Sequence, residues 1–94
     1  MTMSPETAET LALRTLAWLA SDDELLPVFL GSTGSTERDL RERAADPDFL
    51  GSVLDFVLMD DAWVVAASEA QDVAPERLVM ARQVLPGGGQ VHWT

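Results

Sequence analysis

The sequence contains no cysteine, and each of its six basic residues is an arginine. Without cysteine, the protein can form neither disulfide bonds nor thiolate zinc sites, and it has no cysteine nucleophile. Sixteen aspartate and glutamate residues bring the formal net charge to −10, a balance that on average repels nucleic acid and anionic lipid. We therefore expect neither nucleic acid nor a membrane as a partner.

Long uncharged hydrophobic runs are also missing. The most apolar stretch, residues 49–67, is interrupted by Asp55, Asp60 and Asp61, and three carboxylates within about twenty residues cost too much for a membrane span. The first basic residue is Arg14, so the positive n-region of a secretion signal is lacking. Together with the missing cysteines, these features predict a cytoplasmic protein.

What the sequence does contain is a succession of helix start signals. Ser4 and Asp46 each precede a proline, which places a capping side chain before a favoured first helical residue. The length of 94 residues suits one domain, and a hydrophobic content of 47% supplies its core. The pattern predicts an all-α fold, a compact orthogonal bundle of five to six short helices over residues 1–86. A flexible glycine-rich C-terminal tail, residues 87–94, is expected to follow.

The first two helices are predicted from their apolar spacing and their glycines. The first should end near residue 20 and present one stripe to the core. That stripe comprises Ala8, Leu11, Ala12, Thr15, Leu16 and Leu19, widened by Leu13 and Ala17. The second should start between residues 22 and 24, so that Pro27 falls in its first turn, and should close at Gly31 and Gly34.

The third helix is predicted over residues 37–45, capped by Ser35 or Thr36. Its charges suggest two ion pairs at helical spacing, Glu37–Arg41 and Asp39–Arg43. The fourth, from Pro47 to about residue 59, is apolar on most sides, which predicts a position at the centre of the domain. The fifth covers residues 62–70, and the sixth begins at Pro75 and stops at Pro86.

Nothing in the sequence indicates catalysis. The single histidine, His92, lies in the tail without an orienting partner, which a catalytic base needs. The acidic clusters at residues 22–24, 46–48 and 60–61 coincide with expected helix starts, where acids cap the helix, and they lack the spacing of a calcium loop. There is no phosphate-binding loop and no nucleophile elbow. We therefore expect a protein that is not an enzyme and holds no metal or cofactor.

The second and third helices have the order of a helix-turn-helix unit, and the third carries Arg38, Arg41 and Arg43. Three acids alternate with these arginines, so residues 37–43 are neutral and lack the surplus positive charge that phosphate contacts require. A degenerate helix-turn-helix domain with a role related to nucleic acid is therefore the alternative hypothesis.

Exposed apolar side chains favour a different function. Trp63, Val64 and Val65 follow one another, and three successive helical residues cannot all face one core. Trp93 lies in the tail, and tryptophan is enriched at protein interfaces. These four residues are the candidate interaction residues; the competing interpretation places Trp63 in the core, on a face with Ala66, Ala67 and Ala70, and folds the tail back near Trp18.

Four segments resemble, in their order, a family of short alphaproteobacterial proteins, the domain of unknown function 3572. They are LALRTLAWLA, ELLPVFLGSTG, RDLRERAADPDFLGSVLDFVLMDD and APERLVMARQVLPG. The likeness covers residues 7–87 and is most specific over residues 40–61. It implies a small helical bacterial protein of the cytosol and transfers no catalytic or binding residue. The residues themselves therefore carry the functional hypothesis: a protein-interaction or regulatory module whose partner is another protein or a second copy.

Overall fold

The computed structural model describes residues 3–86, and within this range all regular secondary structure is helical. Six helices follow one another: α1 Pro5–Ala20, α2 Leu25–Thr33, α3 Glu37–Glu42, α4 Pro47–Val57, α5 Asp61–Gln71 and α6 Pro75–Val84. The Cα radius of gyration, 12.3 Å, is that of a compact chain of this length. The predicted all-α bundle of short helices is confirmed.

The helix starts follow the capping signals of the sequence. The Ser4 side chain accepts a hydrogen bond from the Thr7 backbone N–H, and Pro5 opens α1. Asp46 caps α4 in the same manner, before Pro47. Thr36 forms a capping box with Asp39 at the start of α3. Each cap satisfies backbone donors that have no partner inside the helix, which is why these starts were predictable.

Helix α1 packs against α2, α4, α5 and α6. Its buried residues are those of the predicted stripe: Ala8, Leu11, Ala12, Thr15, Leu16 and Leu19. The expected widening of this stripe is wrong, because Leu13 is 46% exposed and Ala17 also faces solvent. Helix α4 packs against α1, α5 and α6 and is buried along most of its length, so these two helices share the centre of the bundle.

Three phenylalanines join α2 to α4. The fully buried Phe29 ring meets the rings of Phe49 and Phe56 edge-on, at centroid distances of 6.2 and 5.2 Å. Edge-to-face packing brings the positive ring edge to the negative ring face. The short α2, which buries only Leu25 and Phe29 completely, is anchored to the core through this cluster.

Helix α2 differs from its prediction at both ends. It begins at Leu25 because the Asp22 carboxylate accepts hydrogen bonds from the backbone N–H groups of Glu24 and Leu25, which holds this turn outside the helix. Gly31 lies inside α2 and does not close it, whereas Gly34 is the C-cap residue, with φ of 73°. The left-handed conformation at Gly34 requires no Cβ, so glycine is favoured there.

Helix α3 is shorter than expected, because it ends at Glu42 and not at residue 45. The predicted ion pairs are also wrong. Arg38 pairs instead with Glu42, and Arg43, now the C-cap residue, reaches Asp46 at 3.4 Å. Because Asp46 and Pro47 start a new helix at once, residues 43–45 become a linker. Helix α4 likewise ends at Val57, two residues before its predicted end.

Candidate interaction surface

The structure separates the three consecutive residues proposed as an interaction face. Val64 is buried, with 8% of its surface exposed, and its place in that face is therefore wrong. Trp63 is half-buried and stacks on Phe56 at a centroid distance of 4.8 Å, with 18° between the ring planes. Val65 is 46% exposed. The face retains one exposed valine and part of the Trp63 ring.

The inward face of α5 also differs from the expected one. Ala67 is buried as predicted, but Ala66 and Ala70 face solvent, and the buried polar residue is Ser68. Helix α5 starts at Asp61, where the Asp60 side chain accepts a hydrogen bond from the backbone N–H of residue 62. The residues that point at the core are those on the side of α5 that packs against α1, α4 and α6.

A buried polar contact between α1 and α5 was missed by the sequence reasoning. The Gln71 Nε2 donates to the Thr15 hydroxyl at 2.9 Å and to the Ala67 carbonyl at 3.2 Å. The Thr15 hydroxyl in turn donates to the Leu11 carbonyl. Threonine in an apolar helical stripe was the available signal, since its buried hydroxyl needs partners. The tail residues Val91, His92 and Trp93 lie outside the described residues.

The arginines of the nucleic-acid alternative are placed as follows. Arg38 and Arg43 are held in ion pairs with acids of the chain, and the Arg43 guanidinium also lies 4.8 Å from the centroid of the Phe49 ring. Arg41 is exposed in the last turn of α3. The closely packed helix pairs in the described residues do not include α2 with α3. The alternative stays a prediction, which a mobility-shift assay at low salt would test.

A groove lies between the outer face of α1 and the α3–α4 linker. We call it the α1 groove; its lining residues are Glu6, Glu9, Thr10, Leu13, Ala44, Ala45 and Leu50. It is open to solvent and has a volume of about 420 Å³. Leu50 is almost fully buried beneath it, whereas Leu13 is 46% exposed at its side. The groove thus offers apolar surface that the fold itself leaves uncovered.

The rim of the α1 groove is acidic. Glu6 is exposed and Glu9 is half-buried, and both lie on the α1 side. The ion pairs formed within residues 3–86 involve neither of them. Thr10 does not offer its proton to the groove, since its hydroxyl donates to the Glu6 carbonyl.

A second depression opens beside Trp18, between α1 and the end of α5. It has a volume of about 460 Å³ and is lined by Arg14, Ala17, Trp18, Ser21, Ala70 and Gln71. Its mouth is wide and its lining is more polar than that of the α1 groove. Across residues 3–86, no cluster of three or more metal-ligating side chains is found. Within the same range, no helix has both the length and the hydropathy to cross a membrane.

The family comparison confirms the resemblance inferred from the sequence. The model of a family described as "Protein of unknown function (DUF3572)" matches residues 5–88, nearly the whole chain. No curated protein and no solved structure gives a significant match. The family match assigns no site residue.

Proposed function

We propose that this chain, which belongs to the DUF3572 family, is a non-catalytic protein-interaction module that binds a partner protein in the α1 groove. The observation that carries the proposal is the position of Leu13, a large apolar side chain 46% exposed beside a concave surface. A cytoplasmic setting, expected from the sequence, belongs to this proposal. Its alternative, an interface built on Trp63, Val65 and Trp93, stays a competing hypothesis.

Concavity distinguishes Leu13 from the other exposed apolar residues. Val28, Met59, Val65 and Val79 are also more than 40% exposed, and single exposed apolar side chains are ordinary on protein surfaces. None of these four lines the α1 groove or the depression beside Trp18. A partner side chain in the α1 groove would contact Leu13 and the linker alanines together, above the buried Leu50. Contact on several sides excludes water more completely than contact with a convex residue does.

The size of the apolar surface sets the expected strength of binding. Complete burial of a leucine side chain contributes about 1.5–3 kcal/mol, and roughly half of Leu13 is already covered in the free protein. Its remaining exposed half therefore contributes about 1 kcal/mol, with smaller additions from Ala44 and Ala45. A contact of this size supports a transient interaction, in which Leu13 accounts for about a fivefold change in affinity.

Two matched variants test the position of the interface. Leu13→Gln and Val65→Gln each replace an apolar residue that is 46% exposed, and each introduces a residue of good helix propensity. Each variant would be immobilised and used to capture partners from the lysate of the native host, with nuclease treatment and quantitative mass spectrometry. Circular dichroism would verify that both variants keep the fold.

The α1 groove predicts a partner that is reduced about fivefold by Leu13→Gln and retained by Val65→Gln. The reverse pattern would move the interface to α5 and refute the proposal. A partner insensitive to both variants would also contradict it. Light scattering of the purified protein provides the remaining control, because a dimer that Leu13→Gln dissociates would identify the partner as a second copy of this chain.

A further inference from the structure

We infer that the occupant of the α1 groove is a basic segment of another protein, in which an apolar side chain is flanked by arginine or lysine. This inference rests on the proposed function, since it specifies the chemistry of the partner at the same site. It is carried by the order of charge and apolarity along α1 together with the absence of a compensating cation in the described residues.

The groove side of α1 presents two carboxylates followed by a leucine. Glu6, Glu9 and Leu13 are three and four residues apart, so they lie on one face of the helix. The stripe is about 10 Å long, because seven helical steps separate residues 6 and 13 and each rises about 1.5 Å. A partner whose apolar side chain contacts Leu13 would therefore hold its neighbouring side chains within reach of both carboxylates.

The fold does not neutralise these two charges. All six arginines lie within the described residues, and Arg38, Arg43 and Arg82 form ion pairs with Glu42, Asp46 and Asp55. The remaining arginines, Arg14, Arg41 and Arg77, form no ion pair with Glu6 or Glu9 within residues 3–86. The negative charge at the rim therefore remains available to a partner.

The helix dipole accounts for only one of the two carboxylates. Glu6 lies in the first turn of α1, where a negative charge interacts favourably with the positive end of the helix dipole. Glu9 lies beyond that turn, is half-buried, and stands three residues from a like charge. Like charges at this spacing destabilise a helix by a few tenths of a kcal/mol. Glu9 thus carries a small cost that a cation from a partner would offset.

Charge also discriminates among the occupants of the groove. A second copy of this chain would bring a net charge of −10 toward an acidic rim, and nucleic acid or an anionic membrane would be repelled in the same way. A basic segment is attracted, and complementary charge raises the rate of encounter and selects against other partners. The structure therefore favours a cationic partner protein.

A phage-displayed library of random linear peptides, selected against the full chain, tests this chemistry without a known partner. The enriched peptides should carry arginine or lysine near a large apolar residue. A synthetic copy of one peptide is then titrated by fluorescence anisotropy against the wild type and against Glu6→Gln/Glu9→Gln. The control is Glu69→Gln/Glu76→Gln, which removes the same charge from exposed positions elsewhere; like Glu6, Glu76 follows a proline at a helix start.

Glu6→Gln/Glu9→Gln should weaken binding about fivefold, because it removes two exposed ion pairs that each contribute modestly. The control variant should weaken binding less than about twofold, because Glu69 and Glu76 do not line the α1 groove. Binding should also weaken as the salt concentration rises. Neutral or acidic peptides that Leu13→Gln releases would overturn this inference and leave the proposed function standing. Peptides whose binding is unchanged by Leu13→Gln would refute both proposals. If no peptide is enriched, this inference fails, and the capture experiment with Leu13→Gln and Val65→Gln still decides the proposed function.

Discussion

Gln71→Met is expected to leave the free energy of unfolding almost unchanged, although it removes a side chain with two hydrogen bonds. The Gln71 Nε2 donates to the Thr15 hydroxyl and to the Ala67 carbonyl. Its Oε1 is buried, and no donor within residues 3–86 reaches it. Buried acceptors without a donor destabilise a protein, so this side chain both stabilises and destabilises the fold.

The opposing contributions are of similar size. Each hydrogen bond contributes a net amount of about 0.5–1.5 kcal/mol, whereas a buried acceptor without a donor costs about 1–3 kcal/mol. Methionine removes both hydrogen bonds and the unpaired acceptor. It leaves no buried donor without an acceptor, because the Thr15 hydroxyl still donates to the Leu11 carbonyl. The expected change is therefore within about 1 kcal/mol of zero.

Thr15→Val provides the matched control, since it removes the same contact from the other side. The Gln71 amide then stays buried with one partner fewer, and the expected loss of stability is about 1–2 kcal/mol. When Thr15→Val is combined with Gln71→Met, it should destabilise the protein less than it does alone. The difference corresponds to a coupling free energy of about 1 kcal/mol between the two residues. Urea denaturation followed by circular dichroism measures all four proteins. A loss of about 2 kcal/mol or more for Gln71→Met would refute the reasoning, because Oε1 would then have a donor.

Four further substitutions test individual features of the fold by the same denaturation assay. Gly34→Ala should destabilise the protein by about 1 kcal/mol, since residue 34 has φ of 73°. Gly31→Ala should stabilise it by up to about 1 kcal/mol, because residue 31 lies inside α2 with open space at its Cβ. If both variants changed stability in the same direction, the different roles of the two glycines would be refuted. Asp60→Ala removes the α5 cap and should cost about 1 kcal/mol, and an unchanged midpoint would show that the cap contributes nothing. Phe29→Ala should cost about 3–5 kcal/mol because Phe29 is fully buried, and a loss below about 1 kcal/mol would be incompatible with that burial.

The sequence predicted those parts of the fold that depend on neighbouring residues. A capping side chain before Pro5 or Pro47 acts on backbone groups within one turn, so the start of the helix follows from a few letters. The inward stripe of α1 was predictable because its apolar residues repeat with the helical period. The resemblance to the DUF3572 family came from the order of four sequence segments between residues 7 and 87.

Features that depend on distant residues were not predictable in this way. The face that α5 turns inward depends on its packing against α1, α4 and α6, and α1 lies far from it in the sequence. The contact between Thr15 and Gln71 joins residues 56 positions apart in the sequence. A single sequence contains no spacing rule for such a pair.

The α1 groove was not predicted for two reasons. The end of α3 was placed too late, and the packing of the linker against α1 is a tertiary contact. A third helix extending to residue 45 would have presented Ala44 and Ala45 as part of a helical face, and Leu13 would have belonged to the core stripe. In the structure the helix stops at Glu42, so two small residues of the linker lie opposite Leu13. Alanine is too short to cover that leucine, and the uncovered surface is what a partner can bury. The linker lies directly before Asp46 and Pro47, which predicted the start of α4. The sequence therefore contained the signal that ends the third helix region, but it did not show that the linker would pack opposite Leu13.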